Sequence, residues 1–204
     1  MTGNRSYRHK KNKYYRKAKE EGYRARSAYK LIDIQKNFNV FKNAQNVIDI
    51  GSAPGSWLQV TKKFVEDQSE DYHVLGVDID HVSPIEGVKI LQMDATSSEF
   101  RDHLASYFKA PVDVIVSDAS IDKSGNKFND HIRQIQLCYK ILELAQECLK
   151  ENGNLVLKAF QGPDFNKLYN KLKRKFNMAK AYKPKGSKKS SNEMYFICLG
   201  IKGY

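Results

Sequence analysis

The residues best suited to chemistry in this 204-residue chain stand just after short apolar runs. The run Asn46–Ile50 opens into Gly51-Ser52-Ala53-Pro54-Gly55-Ser56-Trp57. Small residues let a backbone approach a ligand closely, and Ser56 can start a helix whose first amides favour a negative group. The spacing is neither GxGxxG nor a Walker A loop, so it suits a cofactor bearing a carboxylate better than one bearing a diphosphate. An ordinary tight turn is the plainer alternative. Asp78 closes the next run, where an acid commonly takes the ribose hydroxyls of a nucleoside, with Asp80 as its competitor. Asp94 follows the third run, where a carboxylate can accept from an adenine amino group. The neighbours Ile79 and Ala95 complete the candidate cofactor contacts, and Asp118 follows the fourth run. Each acid alone is better explained by a solvated loop or a cap; ligand-compatible groups at three successive strand ends are not. Lys158 lies inside Asn-Leu-Val-Leu-Lys-Ala-Phe. Lysines are almost never fully buried unless paired, so this one either snorkels at a strand tip or is aimed into a ligand crevice as a base or charge stabiliser.

These residues need a scaffold, and the apolar periodicity supplies one. Strands are expected at 46–50, 73–79, 88–92, 112–117, 154–160, 178–183 and 194–199. Helices are expected at about 12–21, 27–38, 56–65, 97–107, 130–150 and 164–176, with Ser27 as an N-cap and Gly153 as a C-cap. In the second helix Ala28, Leu31, Ile34 and Phe38 form an apolar stripe. Apolar strands alternating with helices imply a mostly parallel sheet covered on both faces. Ligands then sit at the carboxyl ends of its strands. Residues 1–12 read as a polar, basic tail without fixed structure of its own. The length suits one α/β domain with a short appendage.

Charge narrows the partner. The formal net is +12 and it is segregated: residues 1–30 carry +9, residues 158–189 carry +10, and the remainder is acidic. Tyr7, Tyr14, Tyr15, Tyr23 and Tyr29 interleave with the first block. Basic residues among aromatics suit RNA, whose unpaired bases stack on rings; solvated helix faces are the alternative. No apolar run approaches the ~20 residues of a membrane span, and no apolar stretch follows the basic N-terminus as in a secretory signal. An intracellular, cytoplasmic protein is expected. Cys138, Cys148 and Cys198 form no CxxC pair, and the five histidines show no metal-ligand spacing. Buried thiols and no metal are expected.

Five runs together resemble the FtsJ (RrmJ) family of RNA ribose 2′-O-methyltransferases, over about Tyr14 to Gly200. They are Arg26-Ser27-Ala28-Tyr29-Lys30-Leu31, Ile48 to Trp57, Ser117-Asp118, Leu157 to Gly162, and Lys183-Pro184-Lys185-Gly186-Ser187 leading to Glu193. The resemblance implies a Rossmann-like S-adenosylmethionine-dependent methyltransferase fold, with a seven-stranded sheet whose last strand is antiparallel. It implies a catalytic tetrad of Lys30, Asp118, Lys158 and Glu193. It also implies cofactor contacts at Gly55, Trp57, Asp78, Asp94 and Asp118. Two departures stand out. Relatives usually follow the catalytic aspartate with Met-Ala-Pro-Asn, where this chain has Ala119-Ser120-Ile121-Asp122; many also have glycine at Ser56. The lost proline is expected to loosen the loop beside the substrate ribose.

The expected organisation is a basic RNA-binding extension over residues 1–25 and a methyltransferase domain over 26–204. The expected reaction is methyl transfer to a ribose 2′-hydroxyl of ribosomal RNA, at a large-subunit uridine, by a monomer. Phosphate contacts are expected from Arg16, Lys17, Arg24, Arg26, Lys171, Lys173, Arg174 and Lys185. Two alternatives stay open. One is a tRNA anticodon-loop methyltransferase, which the runs at Tyr14–Lys19 and Arg24–Ala28 also resemble. The other is an RNA-binding ribosome-assembly factor without catalysis.

Overall fold

The computed structural model describes residues 13–122, 124–188 and 190–203. The expected polar tail over 1–12, with Tyr7, lies outside the described residues. Helix α1 covers 13–20. There follow α2 (Ala28–Phe38), β1 (Asn46–Ile50), α3 (Ser56–Glu66), β2 (His73–Asp78), β3 (Val88–Gln92), α4 (Ser98–Tyr107) and β4 (Val112–Ser117). The chain continues through α5 (Lys127–Cys148), β5 (Leu149–Phe160), α6 (Phe165–Lys175), β6 (Phe176–Tyr182) and β7 (Glu193–Ile201).

The strands form one sheet in the order β3-β2-β1-β4-β5-β7-β6. The pairs β3–β2, β2–β1, β1–β4 and β4–β5 are parallel, whereas β7 runs antiparallel to both β5 and β6. Strand order reverses between β1 and β4, which opens a crevice at their carboxyl ends. Ile50 pairs with Ser117 there, so Gly51 and Asp118 emerge side by side.

Period-2 alternation divides the core into two layers. Ile48, Ile50, Ile115, Leu155, Leu157, Phe196 and Cys198 pack with the apolar faces of α4, α5 and α6. Val47, Val114, Val116, Val156, Tyr195 and Ile197 pack with those of α2 and α3. The same parity assigns Asp49, Asp118, Lys158 and Glu193 to the α2–α3 face, since each is two residues from a member of that layer. A pattern that looked anomalous for Lys158 in an apolar strand therefore follows from the pleat: it continues the Val156 side beyond the core.

Three local expectations are corrected. Ser27 does precede α2, but its hydroxyl caps nothing; it bonds to Ser56 Oγ at 2.8 Å, tying α2 to α3. Gly153 is not a C-cap, because α5 ends at Cys148 and passes directly into β5. Asn152 takes the left-handed conformation instead, and a Cβ on Gly153 would stand 2.9 Å from Lys150 O and 3.1 Å from Asp113 O. Glycine is needed there for close backbone approach. Strand β5 consequently starts five residues earlier than expected, with a register shift opposite Val112–Val114.

Candidate active site

The loop after β1 is shaped for close approach. Gly51 has φ +74°, and a Cβ on it would lie 2.4 Å from Ala119 Cα, so only glycine lets the β1 and β4 loops meet. Gly55, with φ +108°, precedes α3, whose first-turn amides lack intrahelical acceptors and face the crevice. Asp78 Oδ2 accepts from Ala53 N at 2.8 Å and its Oδ1 from Asp80 N at 2.9 Å, so this carboxylate also fixes the loop. Asp94 Oδ1 accepts from Thr96 N and Oγ1, both at 2.8 Å, leaving its second oxygen unbonded among the described residues. Ile79 is 67% exposed beside Asp78, whereas Ala95 belongs to the core.

Trp57 is placed differently from a ligand-facing ring. Its indole N–H donates to Ser27 O at 2.9 Å and its ring lies 5.7 Å from that of Tyr195. The side chain is buried in the α2–α3 layer, which leaves only the Trp57 backbone to the loop after β1.

Beneath that loop, Asp49 Oδ1 and Oδ2, Ser52 Oγ and Thr61 Oγ1 are buried with no hydrogen-bond partner among the described residues. Burial, with Asp118 and Asp78 nearby, pushes the Asp49 carboxyl well above the usual range. The folded protein thus keeps a proton that the unfolded chain releases. Its stabilising effect is complete below the ordinary carboxylate range and is lost as pH rises through the raised value. Asp49→Asn is expected to flatten that fall, read as urea midpoints between about pH 4 and pH 9. Parallel slopes for the variant and the parent would contradict the assignment.

The four charged residues converge. Lys30 Nζ lies 2.6 Å from Glu193 Oε1 and 3.7 Å from Asp118 Oδ1. Lys158 Nζ lies 3.2 Å from Asp118 Oδ1 and donates to Asp118 O at 2.5 Å. Their side chains are only 8–18% exposed. Glu193 Oε1 also accepts from Ser187 Oγ at 3.1 Å.

Sequence reading missed the centre of this network. Tyr195 Oη accepts from Lys30 Nζ at 2.9 Å and donates to Asp118 Oδ1 at 2.5 Å, with Glu193 Oε1 3.3 Å away. Burial, then the charges of Asp118 and Glu193, push its phenol well above the ordinary value, so Tyr195 acts as a neutral donor. The available signal was parity: Tyr195 is two residues from Glu193 and pairs with Lys158 across the strands.

The basic residues divide into two groups. Arg26 lies at the entry to α2, and Lys17 Nζ stands 4.9 Å from the ring centre of Tyr29. Lys185 N donates to Asp33 Oδ2 at 3.0 Å, and the adjoining Gly186 packs on Lys30. Arg16, Lys17 and Lys185 are exposed and Arg26 half-exposed on this rim. Arg24 is engaged within the chain: its guanidinium donates to Pro54 O, Ser83 O and Pro84 O at 2.7–3.1 Å, stapling the Gly51–Gly55 loop to the segment after β2. Lys171, Lys173 and Arg174 are not brought to the tetrad. They lie on α6, which packs on the opposite face, and at ~1.5 Å per residue they are roughly 9–14 Å down that helix from its start at the ligand edge. Lys171 and Lys173 instead cover the rings of Tyr139 and Tyr169, at 4.9 and 4.1 Å.

A switch-point crevice, a glycine-shaped loop and an antiparallel β7 define a Rossmann-like methyltransferase fold. Human methyltransferase-like protein 13, solved in complex with SAH, shares it with a TM-score of 0.54 at 17% identity, over 83% of this chain and 78% of that one. A Plasmodium falciparum protein provisionally described as a ribosomal RNA methyltransferase is more similar: TM-score 0.79 and 28% identity, over 89% of this chain and all of that one. The profile described as FtsJ-like methyltransferase matches residues 23–201. Ribosomal RNA large subunit methyltransferase E of Methanothrix thermoacetophila is 41% identical over 93% of this chain and 72% of its own length. Its counterpart from Brucella anthropi is 37% identical over 96% of this chain and 82% of its own. The chain belongs to the FtsJ-like methyltransferase family.

Proposed function

We propose that this protein transfers a methyl group from S-adenosylmethionine to a ribose 2′-hydroxyl of large-subunit ribosomal RNA, a uridine ribose by family resemblance. The carrying observation is the closed Lys30–Asp118–Lys158–Glu193 network on one edge of the sheet, beside the Gly51–Gly55 loop. The names of the two relatives support ribosomal RNA as the substrate.

The residues of the crevice fit the cofactor. Unpartnered Ser52 and Asp49 beneath the loop and the α3 amides suit an amino-acid moiety; Asp78 suits the ribose, and Asp94 with exposed Ile79 suits the adenine. S-adenosylmethionine supplies an electrophilic sulfonium methyl. The protein's part is geometry and one proton. With substrate bound, Lys158 as the neutral amine takes the 2′-hydroxyl proton while the oxygen–methyl bond forms and the sulfonium–methyl bond breaks, and Asp118 steadies the resulting ammonium through a carboxylate oxygen and its peptide carbonyl. Lys30 and Glu193 position the ribose. All four come from one chain, which supports a monomer. Among the described residues no helix is long and apolar enough to cross a membrane, and a ribosomal substrate suits the cytoplasm.

The RNA footprint follows from the rim. The basic extension, with Arg16, Lys17, Arg26 and Lys185, grips phosphates around the tetrad. Charge reversal of Arg26 and Lys185 together is expected to weaken RNA binding and reduce the salt slope by up to ~0.7–0.9 per lost phosphate contact. Reversal of Lys173 and Arg174 is expected to change it less. Equal losses would mean that bound RNA spans both faces; an unchanged slope for the rim pair would contradict this placement. The substrate itself is tested by label transfer to undermethylated large-subunit particles and, separately, to tRNA. Label in tRNA alone would favour the anticodon-loop alternative.

A further inference from the structure

The loop Ala119–Asp122 leaves β4 without strand partners, so its backbone groups need other restraints. Ser117 Oγ accepts from Ala119 N and Arg133 Nη1 donates to Asp122 O, and one buried side chain holds the middle of the loop. Gln134, on α5 and 1% exposed, donates through Nε2 to Ala119 O at 3.2 Å and to Lys158 O at 3.1 Å. Its Oε1 accepts from Ile121 N at 3.2 Å. One helical turn later Cys138 Sγ donates to the same Lys158 carbonyl at 3.2 Å. That carbonyl lies beyond the last β4–β5 pair, Ser117 with Leu157, where the ladder has ended.

The amide group of Gln134 therefore spans the two strands whose ends carry Asp118 and Lys158. On one side it holds the residues following Asp118; on the other it holds the backbone of Lys158 itself. Lys158 Nζ in turn reaches back to the Asp118 carbonyl. Ala119 also packs against Gly51, but Gly51 N and Ser52 N are held separately by Val77 O, so the loop after β1 does not depend on this brace.

The position of the third bond is informative. Ile121 stands where the relatives' Met-Ala-Pro-Asn pattern has proline. Proline restrains φ covalently and has no N–H to satisfy. Isoleucine lacks that restraint and brings a donor, and Gln134 Oε1 receives that donor. The loosening expected from the sequence is thus offset from α5.

We propose that Gln134 is a positioning residue for the transfer reaction: it sets the spacing of Asp118 and Lys158 through their backbones, in place of a proline at 121. This rests on the methyl-transfer reading above. The test compares wild type, Gln134→Leu, Ile121→Pro and the double variant in the full chain, by steady-state methyl transfer and by amide hydrogen exchange. Gln134→Leu is expected to lower kcat about 10-fold or more, since small displacements at a reacting centre are costly. Its KM for S-adenosylmethionine should stay within about two-fold, and exchange should quicken at Ser120 and Asp122 but not in β4 or β5. Adding Ile121→Pro is expected to restore most of the lost kcat and protection. Wild-type kcat in Gln134→Leu, protection lost throughout β4 and β5, or a double variant no better than the single would each overturn the proposal. Exchange measured on the protein alone separates the two readings. Locally quickened exchange, rescued by proline, in a protein whose parent transfers no methyl would uphold the brace and sink the reaction.

Discussion

Lys158→Ala is expected to lower kcat for methyl transfer by about 10²–10⁴-fold, the usual contribution of a positioned proton-transfer group. Its ammonium is the tetrad member tied to Asp118 twice, at 3.2 Å to the carboxylate and 2.5 Å to the carbonyl. Neither bond supports the fold in its absence: Asp118 keeps Tyr195 as a donor and Lys30 as a countercharge. The variant should therefore fold, bind S-adenosylmethionine within a few-fold of the parent, and fail at the chemical step. Single-turnover rates with saturating RNA, set beside cofactor titrations, separate these quantities. A variant that keeps more than about a tenth of the parental rate would remove Lys158 from the proton path.

Asp118→Asn should be damaging in two ways. Asp118 Oδ1 meets Lys158, Tyr195 and, at 3.7 Å, Lys30. Neutralising it leaves two largely buried ammonium groups with Glu193 as their single carboxylate. Removing one partner of a buried pair costs about 3–5 kcal/mol, and the 18% exposure of this carboxylate argues for the lower end. A lower melting temperature should accompany a loss of activity comparable to that of Lys158→Ala. The second substitution Lys158→Met removes one orphaned charge and should recover part of the stability without activity, because the two sites are coupled. Melting unchanged in Asp118→Asn would show that water, rather than the network, neutralises these charges.

The contrast between these residues shows what the sequence could reveal. Strands were legible because their apolar runs are short and bounded by turn residues, and the fold class followed from their alternation with helices. The position of the strand-end acids was legible in the same way, since Asp78 ends β2 and Asp94 and Asp118 come just after β3 and β4. Tyr195 was hidden because tyrosine in an apolar strand reads as core, and it is also core: it packs with Trp57 while its hydroxyl joins the tetrad. Gln134 was hidden because a single glutamine in an amphipathic helix carries no periodic signal; its role depends on where two strands stop pairing. Arg24 and α6 failed for a different reason. Charge counting locates basic residues along the chain but not on a face, and the folded chain gives Arg24's guanidinium three carbonyl acceptors and turns α6 toward the opposite layer. Helix ends were least legible at Gly153, where a glycine serves close packing and not a left-handed turn.

The most direct test of the central claim is the chemical position of the transferred methyl. Undermethylated large-subunit particles are incubated with labelled S-adenosylmethionine and either the parent or Lys158→Ala, and the recovered ribosomal RNA is hydrolysed with alkali. A 2′-O-methyl blocks cleavage at its own nucleotide, so the account predicts label in an alkali-resistant dinucleotide from the parent and almost none from the variant. Label released in mononucleotides would place the methyl on a base and contradict the account.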